Sequence, residues 1–469
     1  MNVIVVGAGK VGYIVAERLS REESNNVMVI ENDAQAADKV ASLNVSLIND
    51  TGSNPRVLSD AMKMNDPDVI ISTVARDEDN LFICMIAKNL KPEVKTIARI
   101  RNEDYISFNE DDKSIKLVDE IFSPENSCAE IIKELAILEN AIEYDYIDSL
   151  DMVMATFLVT KGNNVVGKTI LEIQDIPEML SIVSIYRGED VYTEVETFEL
   201  HVDDRICVLG TSDDIKKFNK ILGIVRDANE FVILGATAIG VNTAIGLEKA
   251  GKRNIRIIET DPKKCSDTLN KLDYSHIMNG NTTDPHLLSS ENVGRADVLM
   301  VLDTTDEVNL LASLMGRNYG SKKIISEFSM PDYESIFKLA GIQSSIGFYR
   351  IIANDITKKL ISDEEALVQM RYSNELFFSL TLNEKSPAIG KKFGDIKLPQ
   401  GCRITHVIRD GECSVPRMDT EFRSNDKILL FSYMIKLDRI QKIFKATISA
   451  VCDHAERIGV HRAQEEWVG

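Results

Sequence analysis

The sequence predicts an α/β protein made twice over: two doubly wound parallel sheets, each followed by a small α+β lobe. Three observations carry this. An apolar stretch, Val3–Val6, runs directly into Gly7-x-Gly9-x-x-Gly12 and then into a helical pattern. The stretch has an echo, "FVILGATAIGVNTAIGLEKAG" at 231–251, in which Gly235 follows Gly7 by 228 positions and Glu259 follows Glu31 by the same 228. A second, shorter pattern trails each copy: "VVGKTILEI" (165–173) matches "AIGKKFGDI" (388–396), and "DDRICVLG" (203–210) matches "NDKILLFS" (425–432). Whole units repeating at a fixed spacing are a signal about the entire fold. The order is large lobe, small lobe, large lobe, small lobe.

The elements of the first large lobe follow in turn. Val3–Val6 is apolar throughout, as a strand covered on both faces should be. A helix runs from Val11 to Ser20, then strands at Val27–Ile30 and Val45–Ile48. Asn54-Pro55 opens the next helix, with proline in its first turn. Strands at Asp68–Thr73 and Thr96–Ile100 flank a helix at Asp79–Leu90, and Lys116–Phe122 supplies a sixth strand. This alternation means right-handed crossovers and a Rossmann-like, doubly wound sheet. The small lobes read as short strands joined by turns such as Arg187-Gly188-Glu189-Asp190 and Arg409-Asp410-Gly411. A helix closes each, at Asp214–Leu222 and Leu437–Phe444. Ser127–Leu138 and Ile351–Ile361 read as bridging helices, with a closing hinge around Ser123–Leu138. The chain then divides at 1–124, 142–225, 229–350 and 368–447, with a tail at 448–469.

Composition narrows the function. The 469 residues suit about three domains at roughly 150 residues each, and 44% hydrophobic content supports packed cores. No run approaches the ~18 apolar residues of a membrane span. Met1-Asn2 enters a strand without a basic leader region. The expectation is a cytoplasmic chain that is not inserted in a membrane and reaches one only through a partner. A net charge of −20 argues against nucleic-acid binding and suits the Lys/Arg-rich cytoplasmic loops of membrane proteins, although solubility alone accounts for it equally well. The seven cysteines are scattered with no Cys-x-x-Cys, which reads as reduced thiols. Cys452-Asp453-His454 with His461 could hold a metal, but a solvated C-terminal helix is the simpler reading. The tail's apolar spacing and Trp467 suggest either a frayed end or an extra contact.

The first glycine motif carries the chemistry. Gly7 permits a tight turn, Gly9 lets backbone N–H groups approach a pyrophosphate, and Gly12 lets the helix pack close to the strand. Ala8, Lys10 and Val11 complete the turn and the helix start, whose N-terminus favours phosphate. Glu31, 19 positions after Gly12, is placed to accept ribose hydroxyls and repel a 2′-phosphate, so NAD is favoured over NADP. Asp50, Thr73, Val74 and Ala75 sit at other strand ends. Arg99, costly in an apolar strand unless paired, is expected to meet phosphate or to pair with Asp77 or Glu78. The second motif keeps Gly235, Gly240 and Glu259 but has Thr237 at the middle glycine and Glu327 at the Arg99 position. A β-branched residue there carries a Cβ toward the pyrophosphate path and tolerates positive φ poorly, and Glu327 would repel phosphate, so the second site reads as weakened or altered. The first large lobe contains no histidine, and no catalytic motif accompanies either copy. The nucleotide is therefore expected to be read rather than consumed, and no enzyme activity or metal is expected.

With "GAGKVG", "GSNPRVL" (52–58), "RDEDN" (76–80), "IARIRNEDY" (97–105), "LPQG" (398–401) and "VIRDGE" (407–412), the chain resembles the TrkA family to about residue 447. These are cytoplasmic regulatory subunits of Trk potassium-uptake systems, built from two RCK units. The resemblance implies binding of NAD(H), with ATP or ADP as further ligands. It also implies a homo-oligomeric ring, taken as a tetramer, beneath a membrane-embedded TrkH- or TrkG-type pore subunit. Carried over by position, the ligand contacts are Gly7 to Gly12, Glu31, Val74, Ala75 and Arg99. A regulatory subunit of a Kef-like cation carrier and an NAD-dependent oxidoreductase are the alternatives.

Overall fold

The computed structural model describes residues 1–445, apart from residue 23 and residues 112–115, 148–149, 224–227, 361–366, 370–374 and 434–436. The tail with Cys452, His454, His461 and Trp467 lies outside the described residues.

The first large lobe contains β1 (Asn2–Val6), α1 (Lys10–Ser20), β2 (Asn26–Ile30), α2 (Ala34–Val40), β3 (Ser46–Ile48), α3 (Pro55–Asn65), β4 (Val69–Ser72), α4 (Asp77–Leu90), β5 (Lys95–Arg99), α5 (Glu103–Asp111) and β6 (Glu120–Phe122). Helix α6 (Pro124–Ile137) leads to the small lobe: β7 (Ala141–Ile147), β8 (Met152–Leu158), β9 (Ser181–Arg187), β10 (Asp190–Tyr192), β11 (Arg205–Gly210) and α7 (Ser212–Leu222). The second large lobe repeats the plan as β12 (Glu230–Leu234), α8 (Ala238–Lys249), β13 (Asn254–Glu259), α9 (Pro262–Leu269), β14 (His276–Asn279), α10 (Pro285–Ser290), β15 (Val298–Val301), α11 (Asp306–Tyr319), β16 (Lys323–Phe328), α12 (Tyr333–Leu339) and β17 (Ser344–Gly347). Then come α13 (Phe348–Leu360), β18 (Leu367–Gln369), β19 (Glu375–Thr381), β20 (Cys402–Arg409), β21 (Glu412–Ser414), β22 (Lys427–Tyr433) and α14 (Leu437–Phe444).

The large sheets are parallel, in the orders β3-β2-β1-β4-β5-β6 and β14-β13-β12-β15-β16-β17. Both reverse direction of winding beside their first strand, which opens a crevice at the C-terminal strand ends. The short helices α2 and α5, and their counterparts α9 and α12, were not legible in the apolar pattern. Asp33 and Asp261 cap α2 and α9 through their side chains.

The small lobes are antiparallel sheets of identical order, β10-β9-β11-β8-β7 and β21-β20-β22-β19-β18. Each carries the same staple. Arg187 makes two bonds to Asp204 (2.8 and 2.7 Å) and one to the Glu199 carbonyl. Arg409 does the same with Asp426 (2.8 and 2.8 Å) and Glu421. Such bidentate pairs satisfy an otherwise costly buried carboxylate.

The two copies are joined by exchange. Helix α6, from the first copy, packs on α8 of the second, and α13, from the second, packs on α1 of the first. Ser127 donates to Asp355 at 2.7 Å, a direct hydrogen bond between the two exchanged helices. Lysines from the opposite sheets cap the exchanged helices, where cations are favoured. Lys323 Nζ donates to the carbonyls of Leu135 (2.6 Å), Leu138 (2.7 Å) and Ala141 (2.6 Å), and Lys95 to that of Lys359 (2.7 Å). Burial draws the Lys323 ammonium down to about 7, opposed by the charge of Glu139. One buried apolar cluster accordingly runs through both large lobes and the first small lobe.

The small lobes meet through Met152, Met154, Cys207, Phe377, Leu429 and Phe431. There His406, fully buried on β20, donates from Nε2 to the Met179 carbonyl at 3.0 Å. Burial lowers its pKa to about 4, from 6.5 in an unfolded chain. The unfolded state therefore binds the extra proton first as pH falls. The stability contribution is complete above about pH 6.5 and declines toward pH 4, by about 2 kcal/mol at pH 5. His406→Gln should flatten this part of the pH profile of the denaturation midpoint, measured between pH 8 and 5.

Candidate functional site

The first crevice is built around the turn between β1 and α1. Gly7 has φ +91°, and a Cβ there would lie 3.1 Å from Val74 N. A Cβ on Gly12 would lie 2.0 Å from the Gly7 carbonyl oxygen and 2.5 Å from Thr73 Oγ1. Thr73 Oγ1 itself donates to the carbonyls of Val6 (3.2 Å) and Gly7 (3.0 Å). Gly7 and Gly12 are thus required by the protein's own packing, whatever binds. Gly9 differs. Its φ is −60°, open to any residue, and a Cβ there would meet nothing within 4 Å. It is the N-cap of α1, and no side chain caps that helix. The helix start without a side-chain cap, with open space above Gly9, suits a phosphate.

Glu31, buried at the end of β2, turns its carboxylate onto the turn. It accepts from the backbone N–H of Ala8, of Asn32 at 2.7 Å and of Asp33 at 2.8 Å. The far wall depends on Asn80, a residue that sequence reasoning missed. Fully buried, its side chain accepts from Val74 N (2.8 Å) and Ser72 Oγ (2.7 Å) and donates to the carbonyls of Val74 (3.1 Å) and Arg99 (2.9 Å). Its counterpart Asn309 bonds Asp303 N (2.8 Å) and the Glu327 carbonyl (3.0 Å) in the same way, so its presence in both copies was the available signal.

Not every expected residue gathers there. Arg99 is ion-paired with Glu125 at the start of α6, and Asp77 is taken by Arg101 (3.0 Å). The Asp77 or Glu78 pairing expected for Arg99 is therefore not what the structure holds. Asp50 is exposed at the sheet edge, where it accepts from Thr51 N at 2.7 Å. Ala75 is exposed beside Val74, and its carbonyl accepts from Arg101. Val11 is buried beneath the turn. Lys10 contributes its backbone to the turn, but its side chain leaves the crevice. Its Nζ lies 3.7 Å from Glu327 Oε1 and 5.4 Å from the centre of the Phe348 ring.

The second crevice keeps the frame and closes the opening. Gly235 has φ +103°, a Cβ on Gly240 would lie 2.2 Å from the Gly235 carbonyl oxygen, and Glu259 accepts from Ala236 N (2.7 Å). Thr237 has φ −72°, so one of the two reasons expected for a defect there, intolerance of positive φ, does not apply. The hydroxyl is what matters. It accepts from Gly240 N (3.2 Å) and donates to the Leu302 carbonyl (2.9 Å), filling the place that stays open over Gly9. Asp303 stands where the first copy has Val74, adding a carboxylate. Glu327 is buried. Desolvation pushes its carboxyl up, while Lys10 and the hydroxyl of Ser329 (2.8 Å) pull it back.

A cleft of about 1780 Å³ lies between the copies. Arg76, Arg101 and Tyr105 line it on one side, and Thr237, Asn242 and Lys264 on the other. Gly7 to Gly12 are not among the residues that line it.

Comparison with known proteins agrees with this architecture. The TrkA-N domain model matches residues 3–124 and 231–347, and the TrkA-C domain model matches 154–223 and 377–445. The Trk system potassium uptake protein TrkA homolog 2 of Methanosarcina mazei is 27% identical, covering 95% of this chain and all of that relative. The TrkA homolog of Archaeoglobus fulgidus is 27% identical over the same shares, 95% and 100%. TrkA of Halomonas elongata is 26% identical over 92% of this chain and 95% of its own. Among solved structures, the GsuK RCK domain superimposes with TM-score 0.62 at 15% identity, covering 95% of each chain. The GsuK channel bound to NAD also gives TM-score 0.62, at 16% identity over 95% of this chain and 78% of that one.

Substitutions at two glycines separate packing from binding. Gly12→Ala should cost about 2 kcal/mol or more in chemical denaturation, because backbone must move. Gly9→Val should leave the denaturation midpoint nearly unchanged while removing nucleotide binding in a calorimetric titration.

Proposed function

The chain belongs to the TrkA family, and from that premise we propose that it is a nucleotide-reading regulatory subunit of potassium transport, with the first crevice as its working site. The observation that carries this is the contrast at one position: open space above an uncapped helix N-terminus at Gly9, a hydroxyl in that space at Thr237. Proteins spare such space for a ligand when their own packing does not need it.

The favoured ligand is NAD(H). The pyrophosphate takes the N–H groups at Gly9 to Gly12. Glu31, already turned toward this edge, takes ribose hydroxyls and disfavours a 2′-phosphate. ATP and ADP share the adenosine-phosphate portion and compete for the same contacts. Asp50, Thr73, Val74 and Ala75 border the site, and Arg99 reaches a phosphate only by exchanging Glu125 for it. In the second crevice Gly235, Gly240 and Glu259 act as scaffold, with Thr237 and Asp303 disfavouring phosphate.

Regulation follows as a population shift: the ligand binds one arrangement of the lobes more tightly and biases the molecule toward it. We place the hinge at the C-terminal end of the Ser123–Leu138 segment, where α6 turns into β7. The chain assembles as a homo-oligomeric ring, a tetramer, on the cytoplasmic face of a TrkH- or TrkG-type pore. Among the described residues no helix is long and apolar enough to cross a membrane, and the pore partner supplies the membrane attachment. The relatives' names as potassium uptake proteins, and a channel of the same fold bound to NAD, support this reading. No group in the first large lobe is assigned to hydride chemistry.

Thermal denaturation with NADH, ATP and ADP tests the proposal. Ligand at about 100 times its Kd stabilises the folded chain by about 2.7 kcal/mol, a clear upward shift of Tm. Unchanged Tm with all three at millimolar concentration rejects nucleotide reading.

A further inference from the structure

We propose that Glu327, from the second copy, is a positioning residue of the first crevice, competing with ligand phosphate for Lys10. We further infer that strand β16 carries the outcome of this competition to the first copy's hinge. This rests on the first crevice being the nucleotide site.

The two ends of β16 touch two different parts of the first copy. At its C-terminal end, Glu327 lies 3.7 Å from the Lys10 ammonium, and only 4% of the Glu327 side chain is exposed. Lys10 is the first residue of α1, next to the Gly9 N-cap, so a phosphate on that helix terminus comes within reach of its ammonium. Phe348, at the start of α13, is the other group that Lys10 meets. Both are contributed by the second copy.

At its N-terminal end, Lys323 grips the carbonyls of Leu135, Leu138 and Ala141, the last turn of α6 and the turn into β7. The five residues from Lys323 to Glu327 span about 13 Å of rigid strand, hydrogen-bonded on both sides. A phosphate that draws Lys10 away leaves Glu327 buried without its counter-charge, which is costly. Relief requires Glu327, and the strand carrying it, to move. The groups that Lys323 holds at the other end are the hinge.

This gives Glu327 a different role from the one suggested by its register with Arg99. It does not merely spoil the second crevice. It is a charge that the first crevice uses in trans.

The test combines calorimetric titration of NADH with hydrogen exchange at residues 138–141, on the full chain. Glu327→Gln removes the competitor while keeping the shape. It should bind NADH about two- to five-fold tighter and lose the NADH-dependent change in exchange at the hinge. Lys323→Met should keep wild-type affinity and lose the same change. Glu327→Gln binding NADH no tighter than wild type overturns the proposal, as does an NADH response at 138–141 that survives in both variants. A wild-type chain that binds no NADH rejects the nucleotide reading and this proposal together. Normal wild-type binding that is indifferent to Glu327 rejects the inference alone.

Discussion

The exchange of α6 and α13 between the copies is the constraint on which the other features rest. Each helix leaves its own sheet and buries its apolar face on the first helix of the other, α6 on α8 and α13 on α1. Those first helices are also the ones that begin at the glycine turns. The elements that receive a nucleotide and the elements that join the copies are therefore the same. Neither crevice can change shape without pressing on a helix that belongs to the opposite copy and leads into the opposite small lobe.

Much of this was legible in the sequence, for identifiable reasons. Strands such as Val3–Val6 and Val69–Ser72, buried on both faces, show as unbroken apolar runs. The glycine turns show because Gly7 and Gly12 have no substitute in that packing. The repeat order, the family and the site frame followed from these. The exchange of helices was not legible. Amphipathic segments such as Pro124–Ile137 declare that one face is buried, not what buries it. The partners of Arg99 and Lys10 were hidden for the same reason, since Glu125 and Glu327 become neighbours only through tertiary packing. At Thr237 the sequence pointed to the correct position for two reasons, of which the intolerance of positive φ does not apply. Its backbone is ordinary, and its hydroxyl makes the difference.

The two crevices show how little needs to change to alter a site while keeping a fold. Both retain the tight turn, the buried glutamate on the turn and the buried asparagine behind the wall. What differs is a few groups at the mouth. One hydroxyl replaces an opening, one carboxylate replaces a valine, and an acid replaces an arginine. Each change is tolerated because the groups that hold the sheet together lie one layer below.

The contact between Ser127 and Asp355 has a further consequence. In a pair of separate identical subunits, every contact off the two-fold axis is made twice, so this one would recur between the equivalent residues 131 and 351, since α13 begins 224 positions after α6. Here both positions are isoleucine, and the hydrogen bond is made once. A chain that carries both copies covalently escapes that rule. A donor and an acceptor can meet on one side of the axis alone, and the two halves can drift into unlike roles without either substitution being made twice. The covalent link thus gives this architecture a freedom that a symmetric dimer lacks: left and right halves that differ while still fitting together.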